Sequence, residues 1–213
     1  MNEKKLSPAE RFVNALATRA GEFGVRLDEE DALRLGDFYE LTMRWNARLH
    51  LVAPCSPEEF ATRHALESLL ALEFIEAGAR LIDVGSGAGL PAVPCLVARR
   101  GATATLFESS QKKAIFLREA LRVVGAGGRA TVVAERFEKT DAPVADVLTC
   151  RAIERFGEIL PALLAWSARV ETLLLFGGDS VREGLEQSGL SHTPVHVPGS
   201  ERRFLFVVKR GLQ

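Results

Sequence analysis

A chain of 213 residues, 47% hydrophobic and 26% charged, with a formal net charge of −1, has enough apolar content for a core of domain size and too much for wholesale disorder. The near-neutral balance excludes the global basic signature of a nucleic-acid binder, so any RNA-binding surface has to be local. No run approaches 18 apolar residues and the opening MNEKKLSPAERF lacks an apolar signal core, so neither a membrane span nor a secretory signal is expected, and a cytoplasmic location is.

Residues 7 to 23, 28 to 48 and 56 to 76 carry apolar residues at three- and four-residue spacing, which predicts amphipathic helices, with Asp28 as an N-cap and Pro54 and Pro57 bracketing a loop. Near residue 78 the texture changes. Strands are predicted at RLIDV (80 to 84), ATLFE (104 to 108), ATVVA (130 to 134), ADVLTC (145 to 150) and ETLLLF (171 to 176), with helices near 90 to 99, 111 to 124, 154 to 167 and 179 to 188. Such alternation builds an α/β fold with a doubly wound, mostly parallel sheet. HTPVHV (192 to 197) and RRFLFVVKR (202 to 210), joined by PGSE, read as a C-terminal antiparallel hairpin. The expected organisation is an N-terminal helical extension over 1 to 77 and the sheet domain over 78 to 213, together one compact unit.

The first strand runs into VGSGAGLP, with Gly85, Gly87 and Gly89 at alternate places. In open parallel sheets ligands sit beyond the carboxyl ends of the strands, so this turn falls at the site, where a glycine places no side chain between backbone and ligand. The next helix is expected to begin near Leu90, with Pro91 in its first turn, where a missing N–H costs nothing. A nicotinamide fingerprint reads GxGxxG, its third glycine permitting close packing of helix on strand; here the sixth place is Leu90. GxGxG after a strand carrying Asp83 suits S-adenosylmethionine better, because that cofactor needs turn backbone for its amino-acid and ribose parts but no pyrophosphate site. Glu108, at the end of the next strand, is placed to accept hydrogen bonds from both ribose hydroxyls. A solvated carboxylate capping the helix from Gln111 is its bland alternative, and Asp83 equally suits bonding to the turn's own N–H groups.

If a methyl group is transferred, the acceptor is narrowed by what the chain does not carry. Enzymes acting on exocyclic base amines commonly show Asn or Asp, two prolines and an aromatic after the fourth strand; this chain has TCRAI, Thr149 to Ile153. Cytosine C5 chemistry needs an activated cysteine, and Cys150 follows Thr149 where a proline is normal, with no identifiable base beside it. Cys55, Cys95 and Cys150 are an odd number without CxxC spacing, which reads as small buried hydrophobes and gives no expectation of a disulfide framework or a metal. A ring nitrogen with its own lone pair, such as guanine N7, needs only positioning and electrostatics.

Further short motifs occur in a telling order. WN at Trp45 and Asn46, RH at Arg63 and His64 followed by Glu67 and Ser68, LIDVGSGAGLPAVP from 81 to 94, QKKAIFLRE from 111 to 119, ERFE from 135 to 138, CRAIE from 150 to 154 and SERRFLFVVKR from 200 to 210 together resemble the RsmG family, also called glucose-inhibited division protein B. The resemblance covers nearly the whole chain. It implies a Rossmann-like class I S-adenosylmethionine-dependent methyltransferase placing a methyl on guanine N7 of 16S ribosomal RNA, acting on that RNA or the small-subunit particle as a monomer without membrane or metal. Gly85 and Leu90, beside Gly87, are then assigned to the cofactor loop, Phe137 and Glu138 to the adenine end, and Arg151 to the cofactor and the reaction mouth as catalytic residue. Ordinary core for Phe137 and an exposed helix-start acid for Glu138 are the competing readings.

The chain departs from the family's usual pattern at Ala92, where glycine is common, at LFGGD (175 to 179), where Leu-Lys-Gly is common, and at His50, Leu51 and Val52, where Asn-Leu-Thr is common. Local cations for RNA phosphates are Arg44, Arg48, Arg63 and His64, then Lys112, Lys113 and Arg118, then Arg202 and Arg203. Of these Arg63, His64, Lys112 and Lys113 are the expected substrate-binding set, against the ordinary alternative of solvated helix faces. Methyl transfer to another substrate, and a cofactor-binding regulatory role with reduced activity, stand as the alternative functions.

Overall fold

The N-terminal helices start where their caps put them. In the computed structural model, which describes residues 6–151 and 156–211, α1 (Pro8–Arg19) follows Ser7, whose hydroxyl accepts from the Glu10 N–H while the Glu10 carboxylate accepts from the Ser7 N–H. Asp28 caps α2 (Glu29–Leu49) by accepting from the Asp31 N–H at 2.7 Å. The two helices pack through the fully buried Phe12, Leu16, Leu35 and Phe38, and Phe12 stacks on Tyr39 with ring centres 4.8 Å apart.

Residues 56 to 76 do not form the single helix that their apolar spacing predicts. They are divided into α3 (Pro57–Phe60), a π-helical stretch (Ala61–Leu66), α4 (Glu67–Leu69) and a 3-10 turn (Leu70–Phe74). The carbonyls of Arg63 and His64, inside the π stretch, accept hydrogen bonds from the Arg151 guanidinium at 2.7 and 3.3 Å. A demand arising nearly ninety residues away leaves no mark on local periodicity, and single-turn π geometry is a recurrent companion of such sites.

The strands are β1 (Arg80–Val84), β2 (Thr103–Phe107), β3 (Ala130–Val133), β4 (Val147–Arg151), β5 (Thr172–Gly177), β6 (Thr193–His196) and β7 (Phe204–Lys209). They form one sheet in the order β3-β2-β1-β4-β5-β7-β6, parallel except that β7 runs antiparallel to both β5 and β6. Between them lie α5 (Ala92–Ala98), α6 (Gln111–Val123), α7 (Phe156–Trp166) and α8 (Asp179–Gln187). Pro91 sits just outside α5, at its N-cap, not inside its first turn. Ala152, Ile153 and Glu154 of the TCRAI and CRAIE motifs, with the first two residues of the helix predicted from 154, lie outside the described residues.

Side chains alternate across β1. Leu81 belongs to the apolar cluster that holds Phe12, Phe60, Leu96 and Leu117 on one face, and Ile82 to the cluster that holds Leu148, Leu160, Leu185 and Phe206 on the other. The extension, α5 and α6 therefore share one apolar cluster with the sheet, while α7 and α8 cover the opposite face. Strand order reverses between β1 and β4, the place where open α/β sheets leave a crevice at their carboxyl ends. Register fixes what borders it. Val84 pairs with Phe107 on one side and Cys150 on the other, so Gly85, Glu108 and Arg151 come one residue later on three adjacent strands.

Candidate functional site

A cleft of about 530 Å³ opens at that crevice. Gly85 and Gly87 line it with φ of 70° and 49°, left-handed backbone that side-chained residues avoid. Gly89 differs in purpose. A Cβ on it would lie 2.8 Å from Val93 Cγ2 and 3.3 Å from Leu117 Cδ2, so this glycine clears space for α5 and α6. A Cβ on Gly87 would meet nothing nearer than the Gly85 carbonyl oxygen, at 3.6 Å.

Glu108 is buried and holds the turn in place. Its Oε2 accepts from the Gly87 N–H at 2.9 Å and its Oε1 from the Ser110 N–H at 2.7 Å. The cap of α6 is Ser110, whose hydroxyl accepts from the Lys113 N–H, so Glu108 is not the solvated cap of that helix. Each carboxylate oxygen retains a lone pair, and the residue lines the cleft.

Asp83 lies beneath the turn, fully buried, and does not take the turn's N–H groups. Those of Gly85 and Ser86 go to the Phe107 carbonyl at 3.0 and 3.1 Å, and that of Gly89 to Ser86. Asp83 Oδ1 accepts from the Thr149 hydroxyl at 2.6 Å, while Oδ2 has no partner among the described residues. Burial pushes its carboxyl up to about 7. Cys150, beside it, is buried, and burial together with Asp83 pushes its thiol up, which removes the thiolate that C5 chemistry requires.

Phe137 and Glu138 stand in a 3-10 turn at the far wall. The Phe137 ring meets Trp166 edge-on, centres 5.3 Å apart. Glu138 pairs with Arg136 at 2.8 Å, and that guanidinium holds its carboxyl below the ordinary range.

Arg151 borders the cleft at the end of β4 and reaches into the extension. Besides the two carbonyls, it donates to Ser68 Oγ at 3.0 Å and lies 3.4 Å from Glu67 Oε1. Glu67 is itself buried, and its other oxygen accepts from Arg203. His64 lines the same cleft, its ring edge-on to Phe60 at 5.0 Å. Burial, then the charges of Arg151, Arg63 and Arg203, lower its pKa to about 4, so at neutral pH it offers hydrogen bonds and no charge. Lys113 lines the cleft, whereas Lys112 is exposed and Arg63 faces a different cavity.

The sequence reading missed the wall opposite the glycines. Leu51, Val52 and Ala53, in the loop after α2, line the cleft, as does Ile159 of α7. Asn46 clasps this loop, accepting from the Val52 N–H at 3.0 Å and donating to the Val52 carbonyl at 3.1 Å. Consecutive apolar residues in a loop next to a proline were the available signal, since a solvated loop has no use for them. Among the described residues no group of three His, Cys, Asp or Glu is arranged to hold a metal, and no helix is long and apolar enough to cross a membrane.

The family model described as GidB, rRNA small subunit methyltransferase G, matches residues 32–195. The chain is 36% identical over 218 residues to the ribosomal RNA small subunit methyltransferase G of Xanthomonas euvesicatoria pv. vesicatoria (strain 85-10), covering 99% of this chain and 100% of that protein. It is 34% identical to the protein of the same name from Sorangium cellulosum (strain So ce56), covering 86% and 77%. Magnesium protoporphyrin IX methyltransferase from Synechocystis PCC 6803, solved with bound SAM, has a TM-score of 0.58 at 17% identity, covering 87% of this chain and 99% of that one. The M1A22 tRNA methyltransferase of B. subtilis has a TM-score of 0.54 at 18% identity, covering 68% and 65%. At such identities the solved structures speak for the fold alone.

Proposed function

The chain belongs to the rRNA small subunit methyltransferase G family, and from that premise we propose that it transfers a methyl group to N7 of a guanine in 16S ribosomal RNA. Membership makes it an S-adenosylmethionine-dependent rRNA methyltransferase; the acceptor atom and the residue roles are the proposal, as are action in the cytoplasm, on free RNA or the small-subunit particle, and a monomeric state.

The carrying observation is the buried Glu108 carboxylate bonded across to Gly87 at 2.9 Å. That arrangement fits the cofactor: two glycine backbones without side chains, a carboxylate with a spare lone pair on each oxygen, and an apolar ring at Phe137. Glu108 would hold the ribose hydroxyls, Gly85, Gly87 and Leu90 the amino-acid end, and Phe137 with Glu138 the adenine. When bound, S-adenosylmethionine would supply a methyl group on positively charged sulfur, with the carbon–sulfur electron pair returning to sulfur, to an acceptor such as guanine N7 that carries its own lone pair.

No side chain has to remove a proton from N7 for that attack. His64, neutral at pH 7, adds no positive charge against the methyl donor. Arg151 fixes the two carbonyls that flank His64, those of Arg63 and of His64 itself, which supports a role in placing the wall against which the base lies. Arg63, Lys112 and Lys113 supply cations for the RNA backbone, with His64 as a neutral donor or acceptor. Incubating the purified chain with S-adenosylmethionine and, in parallel, 16S RNA and small-subunit particles from cells lacking the gene, then mapping 7-methylguanosine by mass spectrometry, tests reaction and substrate together. A methyl on any other atom, or none, overturns the reading.

A further inference from the structure

We propose that a second cleft, bounded by Arg19, Arg63 and Arg203, is a docking site for a backbone phosphate of the RNA substrate. The proposal rests on the rRNA reading and adds a place on the protein to it.

The cleft has a volume of about 340 Å³ and lies where the end of α1, the π-helical stretch and the turn before β7 meet. Three of its lining side chains are guanidinium groups and none is a carboxylate. Arg19 is matched by Glu22. Arg203 and Arg151 share the single carboxylate of Glu67, one on each oxygen. The exposed Arg63 side chain has no hydrogen bond or ion pair among the described residues. Of the three arginines that line the cleft, Arg19 is paired with Glu22 and Arg203 shares Glu67 with Arg151, so the Arg63 guanidinium leaves positive charge in excess on this concave surface. Burial is the first cause of the lowered pKa of His64, and the charges of Arg151, Arg63 and Arg203 add to it.

A concave site with excess guanidinium charge concentrates anions, and the planar fork of each arginine matches phosphate oxygens in pairs. The π-helical stretch stands between this cleft and the first. Thr62 and Arg63 line the second while His64, the next residue, lines the first. A phosphate held at Arg63 therefore places nucleotides of the same strand beside the mouth where the methyl acceptor must enter. Phosphate contacts fix the register of a nucleic acid without reading its sequence, and such a contact is what a small, nearly neutral enzyme needs to position a base.

The test uses the full chain and in vitro transcribed 16S RNA, with filter binding over a series of KCl concentrations. Arg63→Gln and Arg19→Gln are each expected to weaken RNA binding by about 3- to 10-fold near 0.1 M salt and to flatten the slope of log Kd against log salt by roughly 0.7 to 0.9 per residue. Arg63→Lys, which keeps the charge, retains most of the slope. S-adenosylmethionine affinity, measured by calorimetry, stays within about twofold, which shows that the variants are folded. If the wild type methylates 16S RNA but a variant carrying both Arg19→Gln and Arg63→Gln binds RNA with unchanged affinity and slope, the phosphate site is wrong and the rRNA reading stands. If the wild type transfers no methyl to 16S RNA, either free or in the small-subunit particle, both are wrong. If inorganic phosphate raises the melting temperature of the wild type and not of Arg63→Gln, while RNA affinity is the same in both, the cleft takes a free anion and the RNA assignment is overturned.

Discussion

Glu108 connects two things that must not move apart, the glycine turn and the end of β2, by accepting one backbone N–H on each oxygen. Glu108→Ala loses both those bonds and the proposed ribose contacts, so S-adenosylmethionine binding should weaken by about 1 to 3 kcal/mol. Glu108→Gln is expected to fall between, because its amide nitrogen sets a donor against one of the two backbone donors. Calorimetry decides it, and NAD in the same cell should give no heat. Asp83 makes a different prediction. Its carboxyl rises from 3.8 in the unfolded chain to about 7 in the folded one, so its contribution to stability is complete below about pH 4 and is lost as pH rises through 7. Asp83→Asn keeps an acceptor for Thr149 and abolishes that titration. The stability of the variant relative to the wild type, from urea unfolding, should therefore increase from pH 5 to pH 8, by as much as a few kcal/mol; a difference independent of pH would show that the carboxyl is ionised throughout. The positions of these residues were legible because a strand end in a parallel sheet is a site by geometry. Their partners were not: that the Asp83 carboxylate accepts from Thr149 and takes none of the N–H groups of Gly85, Ser86 and Gly89 follows from packing across β1 and β4, which one strand's sequence does not carry.

Elements were readable to within two residues wherever the apolar pattern is local, as in β1, α6 and β7, whose expected and observed bounds nearly coincide. Failures occurred where a distant partner decides. The π-helical stretch answers to Arg151, and the apolar triplet Leu51, Val52 and Ala53 answers to a cleft formed by strands that follow it in the chain. The glycine turn shows both kinds of information inside one motif, and two substitutions separate them. Gly89→Ala forces a Cβ to within 2.8 Å of Val93 at a φ of 78°, so it should cost about 1 to 3 kcal/mol of stability in urea unfolding. Gly87→Ala has room around its Cβ and carries only the strain of a φ of 49°, but it borders the cleft, so its larger effect should be on cofactor affinity. Equal losses of stability and affinity in both variants would mean that the turn acts as one unit, with no division between ligand-facing and packing glycines.

At the scale of the molecule the extension is not an accessory to the sheet. It contributes Leu51, Val52, Ala53 and His64 to the first cleft, shares an apolar cluster with α5 and α6, and is tied across by Trp45 Nε1 donating to Glu119 at 3.0 Å. Arg151 is the central tie, with the Arg63 and His64 carbonyls, Ser68 and Glu67 as acceptors. Arg151→Ala should then abolish methyl transfer at saturating RNA, and Arg151→Lys should recover little, since an ammonium has no fork to span acceptors on successive residues. Stability alone could produce the same loss, because removing Arg151 leaves the buried Glu67 carboxylate with Arg203 as its remaining partner, and breaking such a pair costs roughly 3 to 5 kcal/mol. The double variant Arg151→Ala with Glu67→Gln separates the two explanations. It neutralises the stranded acid and should regain most of the unfolding free energy, while transfer stays low because the wall bearing His64 is still unanchored. Full recovery of transfer in the double variant would reduce Arg151 to a charge partner of Glu67.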